Sequence, residues 1–94
     1  MLVLVTYDVS TVTPAGPRRL RRVAQACKDY GQRVQKSVFE CRLGAAQWVG
    51  LRTRLLDEIE ATEDSLRFYF LEEDTRIEHH GCDAPKDLEG PLIV

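Results

Sequence analysis

The first run of residues constrains this chain most. Leu2 to Val9 is apolar and β-branched in both of its alternating side-chain sets. Leu2, Leu4, Thr6 and Asp8 face one way; Val3, Val5 and Tyr7 face the other. A strand whose two sets both begin apolar belongs in the middle of a sheet covered on both faces. The fold must therefore supply two covers for one sheet.

The 94 residues leave room for one compact domain. A polar loop, Ser10 to Gly16, leads to a segment with helical spacing from Pro17 to Tyr30. There Leu20, Val23, Ala24, Cys27 and Tyr30 share one arc, with Arg18, Arg21 and Arg22 opposite and Arg19 at the flank. Pro17 suits the first helical turn and Gly31 the position just past the end. Arg33 to Leu43 reads as two short strands or one sharply bent strand, broken at Lys36-Ser37. Ala45 to Glu60 forms a second helix, with Trp48, Leu51, Leu55, Leu56 and Ile59 inward. Leu66 to Leu71 alternates as a strand. The terminal Pro91-Leu92-Ile93-Val94 is expected to dock as an added edge strand.

This order, β-α-β-β-α-β, is the ferredoxin-like α+β sandwich. The expected division is a domain at 1–75 and a C-terminal tail at 76–94, its short strand docking on a partner protomer. Two helices cover one sheet face, and nothing else in the chain is large enough to cover the other. The expectation is a two-fold dimer packed through the sheets.

Several classes are excluded. Hydrophobic content of 44% is too high for a disordered chain. No apolar run approaches the ~20 residues that span a bilayer, and the N-terminus lacks the basic leader and cleavage site of a signal peptide. Three widely spaced cysteines, Cys27, Cys41 and Cys82, fit a reducing cytoplasm. No Gly-rich phosphate loop follows a strand. His79, His80 and Cys82 match no zinc spacing and read as a polar tail segment.

The net charge of −2 hides a division. Residues 1–56 carry ten Lys/Arg against three Asp/Glu; residues 57–94 carry three against twelve. Ten of the 13 basic residues are Arg, whose flat fork suits phosphate. The arginine face of the first helix reads either as a phosphate-contacting surface or as a solvated face balanced by the acidic tail. Trp48, Phe68 and Phe70 have the spacing of core residues rather than of a base-stacking platform.

Asp8 closes an apolar strand, where a carboxylate is costly unless paired or bound to a cation. Two readings stay open. In one, Asp8 ends the strand and hydrogen-bonds the Ser10-Thr11 loop. In the other, a two-fold axis brings two Asp8 carboxylates together around Mg²⁺, which would activate water for attack on a phosphodiester.

Val5-Thr6-Tyr7-Asp8-Val9-Ser10, the Arg-rich helix ending in Tyr30-Gly31, and above all Arg33-Val34-Gln35-Lys36-Ser37-Val38-Phe39-Glu40 resemble CRISPR-associated family two. These are small ferredoxin-like proteins of spacer acquisition. Asp64-Ser65-Leu66-Arg67-Phe68-Tyr69 extends the likeness over most of residues 1–71, and Glu89-Gly90-Pro91-Leu92-Ile93-Val94 resembles the type I-C subgroup. The resemblance implies a metal-binding Asp8 at a homodimer interface, with Tyr7 and Ser37 as further catalytic residues. It implies nucleic-acid contacts from Arg18, Arg19, Arg22, Arg33 and Phe39. It also implies an Mg²⁺-dependent endonuclease acting on RNA or double-stranded DNA, and a dimer that bridges copies of an integrase subunit while holding DNA. The alternative within the family is a DNA-holding adaptor without physiological cleavage. An RNA-cleaving toxin of similar fold is a third reading, against which the Arg33–Glu40 string argues.

Overall fold

The computed structural model describes residues 1–82. Its elements are β1 (Leu2–Asp8), α1 (Gly16–Tyr30), β2 (Gln32–Gln35), β3 (Val38–Arg42), α2 (Ala45–Glu58) and β4 (Ser65–Leu71). The strands form one antiparallel sheet in the order β2-β3-β1-β4. The doubly apolar strand is central, as its pattern requires.

The register builds the core. Val3 lies opposite Cys41 and Phe70, and Val5 opposite Phe39 and Phe68. On this face Val3, Val5, Phe39 and Cys41 meet Val23, Ala26 and Cys27 of α1 and Leu51 and Leu55 of α2, all fully buried. Phe39 is the largest of them; truncating such a ring costs about 3–5 kcal/mol. Two apolar residues depart from expectation. Leu56 is 42% exposed and lies off the inner face of α2, and Phe70 is 62% exposed at the rim, held edge-on against Trp48 at 5.1 Å.

Residues 33–43 resolve into two strands, with Lys36-Ser37 as the turn and a register shift between Arg33 and Gln35. Gly31 ends α1 in extended backbone, φ −155°. It serves close approach rather than a left-handed turn: a Cβ there would run into Cys41 Sγ and lie 2.6 Å from the Glu40 carbonyl.

Both helices pack on the Val3/Val5 face. The opposite face carries Leu2, Leu4 and Thr6 of β1 and, by register, Val38, Tyr69 and Leu71. The chain after β4 covers part of it, which amends the expectation that no segment could. Glu73 pairs with the Met1 amino group at 2.6 Å and with Arg42 at 3.7 Å. Ile77, Glu78 and His79 line a groove with Gln32, Val34 and Glu40. Leu4 and Thr6 stay half-buried and Tyr69 is 42% exposed, so the centre of this face is incompletely covered. The expected strand at 91–94 lies outside the described residues. Among the described residues, no helix is long and apolar enough to cross a membrane.

Candidate functional site

Asp8 is the last residue of β1, paired with Ser65 of β4, and it is exposed. The expectation of a carboxylate in a buried strand end is corrected: Val9 turns inward, 7% exposed, while Asp8 faces solvent on the side away from the helices. Nor does Asp8 tie down the following loop. The Ser10 amide donates instead to Asp64 Oδ1 at 3.0 Å. Among the described residues no hydrogen bond or ion pair reaches the Asp8 carboxylate.

Asp64 is the acid that sequence reasoning missed. Its side chain is wholly buried, and it accepts from the Ser10 amide, from the Glu60 amide at 2.8 Å and from both ends of the Arg19 guanidinium at 2.9 and 3.2 Å. Burial would raise its pKa, but the Arg19 bond and the two amides outweigh that and hold the carboxyl below its ordinary value of 3.8. Arg19, expected to contact nucleic acid, is thus engaged within the fold. Its side chain is 15% exposed and joins the start of α1 to the loop before β4. A cation in the first helical turn opposes the helix dipole, and that was the available hint of a nearby acid.

The other arginines separate in the fold. Arg18 is exposed. Arg22 is exposed and reaches Glu58 only at 3.8 Å. Arg33 lies over the Phe39 ring at 5.0 Å, and Phe39 stacks with Tyr7 at 6.2 Å. Phe39 is therefore a buried platform for Arg33. The ring, expected to contact nucleic acid, is fully buried within the protomer.

Tyr7 is 6% exposed and faces the helices. It cannot share a face with Asp8, because adjacent strand residues point oppositely, so the expected catalytic pair is separated by the sheet. Burial raises the phenol pKa above 10.0 despite a hydrogen bond with Arg33. The hydroxyl is thus protonated near neutral pH and serves as a donor, not a base. It reaches the Lys36 carbonyl at 3.3 Å, and the Tyr7 amide donates to the Ser37 carbonyl at 3.2 Å. Tyr7 fixes the β2–β3 turn beside Ser37, whose side chain is half-buried.

A hard divalent cation needs oxygen ligands. Among the described residues no group of three or more His, Cys, Asp or Glu could hold one. Mg²⁺ nevertheless often takes one or two carboxylates and completes its shell with water and substrate phosphate. An exposed carboxylate with no partner among the described residues would fit that requirement if two copies contributed. Cys27 and Cys41 do not fit a metal or a nucleophile. Both are buried, and burial pushes their thiols up to about 12 and about 11.

These features define a class: a small ferredoxin-like α+β protein with an exposed carboxylate at the end of its central strand and basic side chains on and beside its first helix. The family described as CRISPR associated protein Cas2 matches residues 1–78. The chain is 62% identical to the CRISPR-associated endoribonuclease Cas2 of Chlorobaculum tepidum over the full length of both. It is 50% identical to the CRISPR-associated endonuclease Cas2 of Halalkalibacterium halodurans over 99% of each. Among solved structures, Streptococcus pyogenes Cas2 at pH 6.5 superposes with a TM-score of 0.74 at 54% identity, covering 86% of this chain and all of that one. A hypothetical protein from Thermus thermophilus superposes with a TM-score of 0.69 at 32% identity, covering 86% and 93%. The chain belongs to the Cas2 family.

Proposed function

We propose that this protein is a dimeric, Mg²⁺-dependent endonuclease of CRISPR adaptation that acts in the cytoplasm on RNA or double-stranded DNA. The observation that carries the reading is the exposed Asp8 carboxylate, without a partner among the described residues, on the incompletely covered face of the sheet. The names endoribonuclease and endonuclease borne by relatives support the chemistry.

A second copy packs on the face bearing Leu4, Thr6 and Tyr69, burying apolar area left half-exposed in one protomer. With a two-fold axis near the strand end, the Asp8 carboxylates of the two copies would be the residues that hold the cation. When bound, the metal polarises the phosphate and lowers the pKa of a water for attack. Arg18 and Arg22, exposed on α1, contact the strand backbone. Ser37, at the turn, offers a hydroxyl to the substrate. Arg33 acts from the helix side, held by Phe39 and Tyr7. Residues 76–94 are read as a tail to the 1–75 domain, and the terminal Glu89–Val94 string supports a type I-C-like subgroup by its sequence.

The test uses purified wild type and Asp8→Asn with labelled RNA and duplex DNA, with Mg²⁺ and with chelator. Loss of cleavage in the variant and in chelator, with dimerisation kept, is expected. Cleavage that survives the substitution would sink the metal role of Asp8.

One observation favours a second reading: among the described residues of one protomer, no group of three or more Asp, Glu, His or Cys could hold a metal. The dimer is then a strut that bridges copies of an integrase subunit and tracks duplex DNA with its arginines. Spacer acquisition in cells carrying Asp8→Ala distinguishes the two. Acquisition at the wild-type level supports the strut, and its loss in a folded, DNA-binding variant supports catalysis.

A further inference from the structure

β3 stops pairing with β1 at Thr6, so the direct cross-strand neighbour of Asp8 is Ser65 of β4. Residues directly opposite in an antiparallel pair share a face, with Cβ atoms about 4.5–5.5 Å apart. Asp8 and Ser65 are both exposed, on the side of the sheet away from the helices. Among the described residues, neither the carboxylate nor the hydroxyl has a hydrogen-bond partner.

An opposite charge across the strand pair is the ordinary way for a sheet to neutralise a carboxylate. Position 65 carries no charge. Arg67 stands one same-face position further along β4, opposite Thr6. Its Nη1 donates to the Tyr69 hydroxyl at 3.1 Å, and Tyr69 lies opposite Leu4, toward the apolar part of the face and away from Asp8. The strand end therefore sets a hydroxyl oxygen beside a carboxylate, without an ion pair to Asp8 among the described residues. Adjacent oxygens of this kind suit a hard divalent cation. Serine and threonine hydroxyls ligate Mg²⁺ at phosphate-binding loops for the same reason.

We propose that Ser65 is a further ligand of the cation at Asp8, its hydroxyl oxygen completing the site beside the carboxylate. The proposal rests on Asp8 holding the cation. Two copies supply a pair of carboxylates and a pair of hydroxyls, and the rest of an octahedral shell is left to water and substrate phosphate. A neutral hydroxyl adds coordination without adding negative charge. Further carboxylates in its place would repel the phosphodiester. A site of this make-up needs no group of three His, Cys, Asp or Glu in one protomer, and among the described residues none is present.

The test titrates the purified full chain with Mn²⁺, a paramagnetic substitute for Mg²⁺, without nucleic acid. Electron paramagnetic resonance counts free and bound ions, and Mg²⁺ is then added as competitor. Wild type should bind Mn²⁺ and release it to Mg²⁺. Ser65→Ala should weaken binding about tenfold, and Ser65→Thr, which keeps the hydroxyl, should restore it. Circular dichroism and size-exclusion chromatography verify that fold and dimer are kept. Asp8→Asn separates the two levels of the reading. If Asp8→Asn binds as wild type does, or wild type does not bind, the Asp8 site fails and Ser65 with it. If Asp8→Asn loses the ion while Ser65→Ala keeps wild-type affinity, the Asp8 site stands and the role of Ser65 is overturned. Failure of Ser65→Thr to restore binding also overturns it, by assigning the loss to packing.

Discussion

Asp64 and Asp8 are both aspartates at strand ends, and they meet opposite treatment. Asp64 stands just before β4, wholly buried, with two backbone amides and a forked arginine upon it. Asp8 ends β1 and is exposed, with no partner among the described residues. A carboxylate whose lone pairs are already filled serves the fold. One left open on an incompletely covered face is available to a cation or to a second protomer. The same contrast separates Arg19, consumed by Asp64, from Arg18, left in solvent a single residue away.

The contrast breaks most visibly through stability. Asp64→Asn should cost about 1–3 kcal/mol, because it leaves Arg19 with only the longer Glu63 contact at 3.6 Å and weakens the bonds to the Ser10 and Glu60 amides. Chemical denaturation measures this, and a loss below about 1 kcal/mol would remove Asp64 from its structural role.

A pH series sharpens it further. The Asp64 carboxyl titrates below its ordinary 3.8 when folded, so the unfolded chain binds that proton more readily. Its stabilisation is therefore complete above the unfolded value and is lost as pH falls through the lower folded one. The stability gap between wild type and Asp64→Asn should be full at neutral pH and should shrink below about pH 4. A gap that widens on acidification would reverse the assignment.

Smaller effects complete the series. Arg54 and Asp29 join α2 to α1 at 2.7 Å, but the two side chains are 40% and 44% exposed. Arg54→Ala should cost less than about 1 kcal/mol and less still in high salt, checked by denaturation at two ionic strengths. Asp8→Asn should change stability by no more than about 0.5 kcal/mol. A larger loss would show that Asp8 carries structure after all.

Much of the fold was legible in the sequence. The two apolar sets of Leu2–Val9 placed β1 centrally, and alternation placed Phe68 beside it. The arc of Leu20, Val23 and Cys27 gave α1 its inner face. The site was legible less evenly. Asp8 was recognised by its position at the end of an apolar run, but its exposure was not, since a strand's last residue can face core or solvent. Tyr7 and Asp8 were grouped by the family resemblance, although alternation sends them to opposite faces. Asp64 passed unnoticed because its donors lie 54, 45 and 4 residues away, at Ser10, Arg19 and Glu60, and no local pattern spans those separations.

The sequence by itself therefore determined the order of elements, the central strand and the basic character of the first half, because periodicity and composition are local properties. Only the tertiary structure decided what each charge does. It filled Asp64 from Ser10, Arg19 and Glu60, left Asp8 exposed and engaged Arg19 within the fold. Pairing and burial depend on which distant segments meet, and that is settled only when the sheet closes against its helices.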